Sequence, residues 1–521
     1  MGILLPPIPE LSFTDVLASA CIISLAAATT TFLLCLLTYR LVSKLTLLCI
    51  LVASIGSGCL LQEELAAHSM VSPDEVSSWV AAYASLLVLL VGSAVALWKM
   101  VLLLYPKAKV PSLGHRLSGV GIAHPSMSDV AYLDYNGTTP VYPEVMHEML
   151  PCLSDCFGNP SSSHAYGTPA KQSVDNARGR LARLLGCPSK CITFTGCGSE
   201  SDNWAIAGAV ELGRASLPGK SKPHVITSAI EHPAVLAFLR RMEERDQVTA
   251  TYVPVTQEGI VNMQVLEGAF QRTTVLVSVM HSNNEVGSLQ PVAEIAALCR
   301  KRGVLFHTDA AQSIGKVPVD VNTLDADMIT VVGHKIGAPK GIAALYIREG
   351  LALPSLLCGG GQEHGRRAGT ENVVGIVGMG CAAKIAGEEL TATAEHMRAM
   401  KDLLRGLLTA GFGSANLKLN GPADQSLVLP NTLSISFQGI SAVALLNSVS
   451  EHVAASAGSA CHSSGAGQLS PVLKAMGVQQ EVGLGTIRFS VGRHTTAAEV
   501  ETAAKALLRA ARQLKDETKP L

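Results

Sequence analysis

The stretch VLFHTDAAQSIGKVPVDVNTLDADMITVVGHK (304–335) decides the fold. It contains two apolar runs, 304–307 and 328–332, and each has the length of a buried strand. Asp309 follows the first run and Lys335 follows the second. Two successive strands that each lead into an ionisable residue predict a parallel sheet, with both residues at its carboxyl-terminal edge, where ligands bind in such sheets.

The chain around this stretch repeats the same alternation. Further apolar runs predict strands at 191–195, 224–228, 248–255 and 275–280, and amphipathic segments predict helices at 202–212, 234–245 and 292–302. This order predicts an α/β fold with a mostly parallel sheet and helices on both faces. Later segments predict a helix at 388–408, a strand at 432–437 and a helix at 497–514, which together indicate a smaller α+β domain.

Changes in composition predict the domain boundaries. The first 106 residues are strongly apolar, and 107–128 are rich in Pro, Gly, Ser and Lys, as linkers are. We therefore predict a membrane anchor at 1–106, a linker at 107–128, a large domain at 129–387 and a small domain at 388–521.

The apolar N-terminal region predicts about three transmembrane helices, at 16–39, 45–61 and 79–104. A bilayer core of about 30 Å needs roughly 20 apolar residues in a helix. Lys and Arg lie in the first loop and after the third span, whereas the loop between has only acidic charges. The positive-inside rule then predicts a multi-pass membrane protein with its catalytic domain on the cytosolic side, or the equivalent organelle interior. A buried hairpin of soluble helices is the alternative.

Charge and cysteine content exclude other classes. The formal net charge is -1, so no overall positive field favours nucleic acid. The 13 cysteines show neither a paired secreted framework nor a strong zinc spacing, which favours a reducing compartment and predicts no metal site.

Lys335 and Asp309 are the first candidates for chemistry. A lysine at a strand's carboxyl end can form a Schiff base with an aldehyde cofactor. A buried carboxylate on the neighbouring strand can keep a pyridoxal ring nitrogen protonated. Taken singly, Lys335 is equally compatible with a structural or phosphate-binding role, and Asp309 with a helix cap.

Two further turns extend this candidate site. Gly198 and Ser199 lie in a glycine-rich turn between a strand and a helix, which suits phosphate because backbone N–H groups and the helix dipole favour an anion. Such turns are common, however. His232 follows another strand and can stack on a flat ring, with an ordinary loop histidine as the alternative. Cys461 lies among small residues, as expected for a reactive thiol on a loop.

Ten motifs extend these observations along the chain. They are LDYNGTTP (133–140), FGNPSSSHAYG (157–167), FTGCGSESDN (194–203), SAIEHPAV (228–235), NNEVG (283–287), HTDAAQSIGK (307–316), GHK (333–335), GGGQEHGRRAGTEN (359–372), SAGSACHS (456–463) and IRFSVGR (487–493). In this order they resemble the class V, fold type I pyridoxal-phosphate enzymes of the cysteine desulfurase and selenocysteine lyase group. Asn136, Val332 and the spacing after Cys461 are more similar to selenocysteine lyase. Gly137 departs from the family pattern, which has alanine there.

The resemblance implies a role for each matching residue. Lys335 holds the cofactor pyridoxal 5'-phosphate as a Schiff base, and Cys461 accepts the chalcogen. His232 stacks on the ring and relays protons. The implied cofactor-binding residues are Gly198, Ser199, His232, Asn284, Asp309, Gln312, His334, Lys335 and Thr370, the last reaching over from the partner subunit of a homodimer. Arg488 binds the substrate carboxylate, and Asn136 also contacts the substrate.

The function that these roles imply is removal of selenium from L-selenocysteine, giving L-alanine and selenide. One alternative is a cysteine desulfurase, which passes sulfur as a Cys461 persulfide to cluster or cofactor synthesis. Another, of a different class, is an inactive membrane scaffold with the same fold. The expected partners are the small amino-acid substrate, a second copy of the chain and a protein that accepts selenium or sulfur.

Overall fold

The strands are short and lie between helices along most of the chain. A computed structural model of the protein describes residues 130–219, 221–458 and 468–517. The strands in chain order are β1 (Ala131–Tyr132), β2 (Ile192–Thr195), β3 (His224–Ser228), β4 (Thr249–Val253), β5 (Thr274–Ser278), β6 (Leu305–Asp309), β7 (Met328–Val332), β8 (Ala343–Ile347), β9 (Leu417–Leu419), β10 (Thr432–Phe437), β11 (Val453–Ala454), β12 (Ser456–Ala457) and β13 (Thr486–Ser490).

The α-helices of the same residues range from single turns to 40 residues. They are α1 (Pro143–Met149), α2 (Pro151–Ser154), α3 (Gly167–Leu185), α4 (Gly198–Ser216), α5 (Pro233–Glu244), α6 (Met263–Gly268), α7 (Val292–Arg302), α8 (Val321–Leu324), α9 (Val373–Phe412), α10 (Ala442–Ser448), α11 (Pro471–Ala475), α12 (Gln480–Gly483) and α13 (Ala497–Glu517).

The main sheet has seven strands in the order β2-β8-β7-β6-β5-β3-β4. Strands β3 to β7 pair in parallel with their neighbours, whereas β8 runs antiparallel to both β7 and β2. Strand β2 therefore points the same way as β7, and the carboxyl ends of β2, β3, β6 and β7 share one edge. The prediction of a mostly parallel sheet is confirmed, although β8 itself was not predicted.

Helices cover both faces of this sheet, as predicted. Successive residues of one strand belong to different hydrophobic clusters, because side chains alternate between the two faces. In β7, Met328 packs with Trp204 of α4 and Leu239 of α5, whereas Ile329 packs with Leu181 of α3 and Ile295 of α7. Burial on both faces explains why these strands are continuous apolar runs.

A four-stranded antiparallel sheet, β12-β13-β10-β9, forms the second part of the fold. Helix α13 packs on it through Val500, Ala504, Leu507 and Ala511, a helical stripe with spacings of three and four. The predicted strand 432–437 and the predicted C-terminal helix are confirmed by β10 and α13.

Helix α9 contributes to the cores of both sheets. Its first turns, including Ile376 and Met379, belong to the core of the main sheet, whereas Leu404 and Leu408 near its end belong to the core under the second sheet. The Asn372 side chain begins the helix by accepting the Gly375 N–H at 3.0 Å. The predicted domain boundary at 387/388 lies within this helix and stays a prediction.

The predicted membrane helices require a correction. The segments 16–39, 45–61 and 79–104 lie outside the described residues, and within the described residues no helix is long and apolar enough to cross a bilayer. The longest, α9, carries Lys384, Glu388 and Glu389 near its middle, and such charges are costly in a hydrocarbon core. Transmembrane helices are therefore absent from the fold as far as the described residues extend, and the predicted multi-pass membrane localisation and membrane partner find no support there.

Candidate active site

Asp309 and Lys335 lie at the ends of two neighbouring parallel strands. Asp309 is the last residue of β6, where it pairs with Thr330 of β7. Lys335 closes a 3-10 turn, Gly333–Lys335, that directly follows β7. The sheet thereby places both residues at the edge where the sequence predicted them.

Lys335 is held by backbone oxygens of the segment after β1. Its Nζ donates to the carbonyl of Asn136 at 2.6 Å and to that of Gly137 at 2.8 Å. Burial lowers the pKa of Lys335 to about 8, and Arg488 acts in the same direction, whereas Asp309 and Asp134 oppose the shift. An amine with such a pKa is partly neutral near pH 7 and can act as a nucleophile or base.

Asp309 is almost fully buried, with 8% of its surface exposed. Its Oδ1 accepts the Ala311 N–H at 2.8 Å. Burial raises its pKa, against the opposing effects of the Ala311 N–H, His232 and Lys335. A buried carboxylate of this kind is stabilised by a cationic N–H, which a protonated pyridine ring supplies.

The turn between β2 and α4 has the features of an anion site. Cys197 precedes the helix in an extended conformation, and α4 begins at Gly198 with the exposed Ser199 in its first turn. A Cβ on Gly198 would lie 2.6 Å from Val332 Cγ2, so only glycine lets the turn approach β7 this closely. A helix of 19 residues directs its positive dipole end to this turn.

Two histidines border the site. His232 caps α5 by accepting the Ala234 N–H on Nδ1 at 3.2 Å. Although His232 has an exposed surface, desolvation by the surrounding groups lowers its pKa, and Lys335 assists this shift while Asp309 opposes it. His334 Nδ1 lies 3.1 Å from Thr138 Oγ1, and burial together with neighbouring lysines lowers its pKa to about 4. Both rings are therefore largely neutral at pH 7.

Arg488 reaches the same edge from β13 of the second sheet. Its Nη1 donates to the Asn284 carbonyl at 3.1 Å, and its Nη2 donates to Asp134 Oδ1 at 2.7 Å and to Ser456 Oγ at 3.0 Å. The buried Nε has no hydrogen-bond partner among the described residues. The guanidinium thus has capacity left for an anionic ligand such as a carboxylate.

Asn136 and Gln312 belong to a buried amide network. The Asn136 side chain contacts the Asn284 carbonyl at 3.3 Å, Thr432 Oγ1 at 2.8 Å and Asn431 Nδ2 at 2.9 Å. Gln312 Nε2 donates to the Asn136 carbonyl at 3.0 Å. In this arrangement the backbone of Asn136 contacts Lys335, while its side chain holds the second sheet.

The remaining predicted site residues differ in position. Thr370 is exposed and lines a separate cavity with Gly196 and Arg367. Cys461 lies outside the described residues, although Gly458 and Ser470 on either side are described and hydrogen-bonded to each other at 3.3 Å. The structure thus brings Lys335, Asp309, His232 and Arg488 together, does not place Thr370 beside them and does not describe Cys461.

Several residues of the site were not singled out from the sequence. Asp134 and Ser456 hold Arg488, and Lys316 donates to Gln312 Oε1 at 3.0 Å. A signal existed for Lys316, because it lies four residues after Gln312, a spacing that places side chains on one side of a helical turn. At Gly137, a Cβ would lie 2.6 Å from Asp134 Oδ2, so an alanine there would require the Asp134 carboxylate to shift.

The site fits pyridoxal phosphate. Asp309 suits the ring nitrogen, the Lys335 amine suits the aldehyde, and the turn at Gly198 begins a 19-residue helix whose first N–H groups suit a phosphate. A mostly parallel sheet with these groups at its carboxyl edge and a smaller second sheet defines a pyridoxal-phosphate enzyme of fold type I.

Comparison with known proteins places the chain in a family. The model of the family described as Aminotransferase class-V matches residues 131–502. A cysteine desulfurase of Trichormus azollae is 43% identical over 373 residues, which are 71% of this chain and 90% of that protein. The chain therefore belongs to the aminotransferase class V family, and its cofactor is pyridoxal phosphate.

Solved structures agree with this assignment. A NifS-like protein matches with a TM-score of 0.67 at 36% identity, covering 74% of this chain and 100% of its own. The structure of SspA in complex with cysteine matches with a TM-score of 0.60 at 32% identity, covering 70% of this chain and 100% of its own. The match extends over the region that the sequence assigned to the enzyme, after the predicted linker.

Proposed function

We propose that the protein is a cysteine desulfurase, which converts L-cysteine to L-alanine and retains the sulfur as a persulfide on Cys461. The observation that carries the proposal is the meeting of Lys335, Asp309 and Arg488 at one edge of the sheet, beside both ends of the segment that contains Cys461. A base, a ring-nitrogen partner and a carboxylate-binding group are the set that an amino-acid reaction with this cofactor requires.

The ends of the Cys461 segment are tied to the site. Ser456 bonds both Arg488 and Asp134, and Gly458 donates its N–H to the Thr486 carbonyl at 2.7 Å. At the other end, Ser470 Oγ donates to Glu285 Oε2 at 2.5 Å. The chain therefore leaves and re-enters the described structure next to the proposed carboxylate-binding residue, where a sulfur-accepting thiol is needed.

The residues divide the work between binding and proton transfer. Arg488 binds the substrate carboxylate and orients the α-carbon, and Asp309 stabilises positive charge on the ring nitrogen. The cofactor, when bound, supplies the electron sink that weakens the substrate's bonds at the α- and β-carbons. Lys335, with its lowered pKa, removes the α-proton as a neutral amine and returns a proton to carbon later.

The atoms and electrons of the sulfur-transfer step balance without an external oxidant. The Cys461 thiolate attacks the substrate sulfur, the bond from sulfur to the β-carbon breaks, and the carbon fragment takes the electron pair and a proton. Cysteine and one protein thiol thus become alanine and one protein persulfide. The persulfide is consumed by a sulfur acceptor, which we propose to be a protein.

Sulfur is favoured over selenium by the relatives. Proteins around 40% identical to this chain over most of their own length are named cysteine desulfurases. The expectation of a selenocysteine lyase rested on a few motif details, and no contact among the described residues supports it. In the test below, activity on selenocysteine alone would therefore contradict the proposal.

We propose that the protein acts as a homodimer. Large apolar side chains between 146 and 166 are 48% to 65% exposed, and they are Met146, Leu150, Leu153, Phe157 and Tyr166. A concentration of such side chains in 21 residues of chain is typical of an interface. Thr370, exposed in one subunit, would then contact the phosphate turn of the other.

The deciding experiment is a two-substrate assay on the purified, cofactor-loaded protein. Alanine release is measured from L-cysteine and from L-selenocysteine, and persulfide on Cys461 is identified by mass spectrometry. We expect release from both substrates and a persulfide with cysteine. Cys461→Ser should keep the yellow colour and lose at least about 100-fold in alanine release, whereas Lys335→Ala should lose both. Release of alanine from selenocysteine alone contradicts the proposal.

A further inference from the structure

A second lysine is buried beside the site and has no role in the chemistry above. Lys316 is 5% exposed and lies in the turn that follows β6. Its one hydrogen bond from Nζ among the described residues goes to Gln312 Oε1, at 3.0 Å, and no carboxylate pairs with it. A buried amine without an acidic partner is costly, so its retention points to a function.

Lys316 determines which way the Gln312 amide faces. The Lys316 amine donates to the Gln312 oxygen, so the Gln312 nitrogen faces the opposite way. Burial lowers the pKa of Lys316 to about 7, and Lys335 and Arg488 act in the same direction, so the ammonium form, which has donors only, is present at and below about pH 7. In that orientation Gln312 Nε2 donates to the Asn136 carbonyl at 3.0 Å. If the amide were reversed beside the ammonium form, two donors would meet at Lys316 and two acceptors would meet at Asn136, and both hydrogen bonds would be lost.

The orientation is transmitted to the lysine that holds the cofactor. The Asn136 carbonyl accepts from Gln312 Nε2 and also from Lys335 Nζ at 2.6 Å. A continuous chain of hydrogen bonds therefore runs from Lys316 through Gln312 and Asn136 to Lys335. Each member is buried or half-buried, so water competes weakly for these bonds.

We propose that Lys316 is a positioning residue that keeps the Gln312 amide nitrogen, the donor, facing the Asn136 carbonyl and the cofactor's ring oxygen. The inference rests on the proposed function only in taking Gln312 as the neighbour of the ring oxygen. Lys316 itself touches neither the substrate nor the reacting atoms.

The test uses the colour of the cofactor-loaded, full-length protein without substrate. The measured quantity is the pH midpoint at which the visible absorbance changes. A hydrogen-bond donor to the ring oxygen stabilises the anionic form of that oxygen. Loss of the donor therefore raises the pKa of the proton bound there. We expect Lys316→Met to bind the cofactor and to raise the midpoint by about one pH unit.

Lys401 provides a matched control. It is also a buried lysine, 1% exposed, and its Nζ also donates to a glutamine oxygen, that of Gln425 at 3.3 Å, but it lies on α9 in the core under the second sheet. Lys401→Met removes a buried lysine in the same way and should leave the midpoint unchanged. An equal shift in both variants would mean that the colour reports general loosening and would overturn the proposal.

A double-mutant cycle with Gln312→Met tests the route of the effect. If Lys316 acts through Gln312, adding Lys316→Met to Gln312→Met leaves the midpoint where the single Gln312 variant has it. An equal shift in both backgrounds shows that Lys316 acts by charge alone and overturns the proposal, as does an unchanged midpoint in Lys316→Met. If Lys316→Met does not fold, Lys316→Arg, which is also donor-only, must keep the wild-type midpoint.

Failure of this inference is distinguishable from failure of the proposed function. The absorbance measurements need no turnover. If the protein binds the cofactor and follows the expected midpoints but releases no alanine from cysteine, the result supports the role of Lys316 and contradicts the proposed function.

Discussion

At the scale of single residues, the site contains ionisable groups whose pKa values are shifted by burial. The Lys335 amine sits between the Arg488 guanidinium, which lowers its pKa, and the Asp309 carboxylate, which raises it. Asp309 in turn has a buried carboxyl neighbour, Asp202; burial raises the pKa of Asp202 well above its ordinary value, and charge repulsion from Asp309 adds to the shift. These groups are stabilised by binding a ring that carries a positive nitrogen and an aldehyde, so their arrangement is preorganised for the cofactor.

The lowered pKa of Lys335 predicts how cofactor binding depends on pH. Only the neutral amine attacks an aldehyde, and the group is protonated below a pKa of about 8 rather than the ordinary 10.5. The rate at which the cofactor-free protein turns yellow should therefore rise with pH up to about 8 and then level off. Stopped-flow absorbance measures this rate. A rate that still increases about tenfold per unit between pH 8 and pH 10 would show an unshifted lysine.

Arg488→Lys tests the guanidinium fork without removing its charge. Lysine cannot bind a carboxylate with two parallel hydrogen bonds, so the KM for cysteine should rise about 10- to 100-fold, with a smaller change in kcat. Steady-state alanine release gives both constants. Arg493→Lys is the control, since Arg493 lies on the same segment but pairs with Glu389 and Glu144, and its KM should stay near the wild-type value.

At the scale of secondary-structure elements, the segment between β8 and α9 is tied to the main sheet by one buried ion pair. Glu363 binds Arg178 of α3 through two bonds of 2.6 and 2.7 Å, and it also accepts the Phe194 N–H of β2 at 2.8 Å. Glu363 and His364 both adopt positive φ, which side-chain-bearing residues rarely do. The ion pair therefore holds a strained turn in the segment that carries Thr370.

Glu363→Gln should be strongly destabilising, because it leaves the Arg178 charge buried without its counter-charge. We expect a loss of about 3 kcal/mol in the free energy of unfolding, measured by denaturant titration. Glu349→Gln is the matched control: Glu349 pairs with Lys190 at the surface, where solvent screens the charges, and no change in the unfolding midpoint is expected. Equal effects of the two variants would contradict a structural role for the buried pair.

At the scale of the whole molecule, the site is assembled from distant parts of the chain. Lys335 and Asp309 come from the main sheet, Arg488 comes from the second sheet, and Asn136 joins them through contacts with Lys335 and Thr432. Helix α9 contributes to both cores, so each sheet's stability supports the geometry of the other. The exposed apolar stretch at 146–166 is the surface on which we propose that a second copy of the chain packs.

The proposed homodimer predicts that charges in this stretch will separate the subunits. Leu153→Asp combined with Phe157→Asp places two carboxylates where apolar surface would be buried, and the protein should sediment as a monomer in analytical ultracentrifugation. Leu419→Asp, at a residue 47% exposed on β9, is the control and should leave the dimer intact. A double variant that remains dimeric would show that the dimer interface lies elsewhere on the protein.

Local pattern in the sequence was sufficient for six of the seven strands of the main sheet and for the edge on which the site lies. The apolar runs before Asp309 and Lys335 are β6 and β7, because burial on both faces favours apolar side chains on both sides of such strands. Hydropathy also predicted membrane helices at 16–39, 45–61 and 79–104, which lie outside the described residues. The apolar run that forms β8 was not predicted as a strand, and no local pattern shows that it runs antiparallel to its neighbours.

Contacts between residues far apart in the chain were decided only by the tertiary structure. No local pattern shows that Arg488 meets Asp134, that Glu363 meets Arg178, or that Lys316 turns the Gln312 amide toward the Asn136 carbonyl. Periodicity records which side of an element is buried, whereas these bonds depend on which elements become neighbours. The residue types of the site and the sheet edge on which they lie can therefore be predicted from the sequence. The orientation of each side chain is determined only by the tertiary structure.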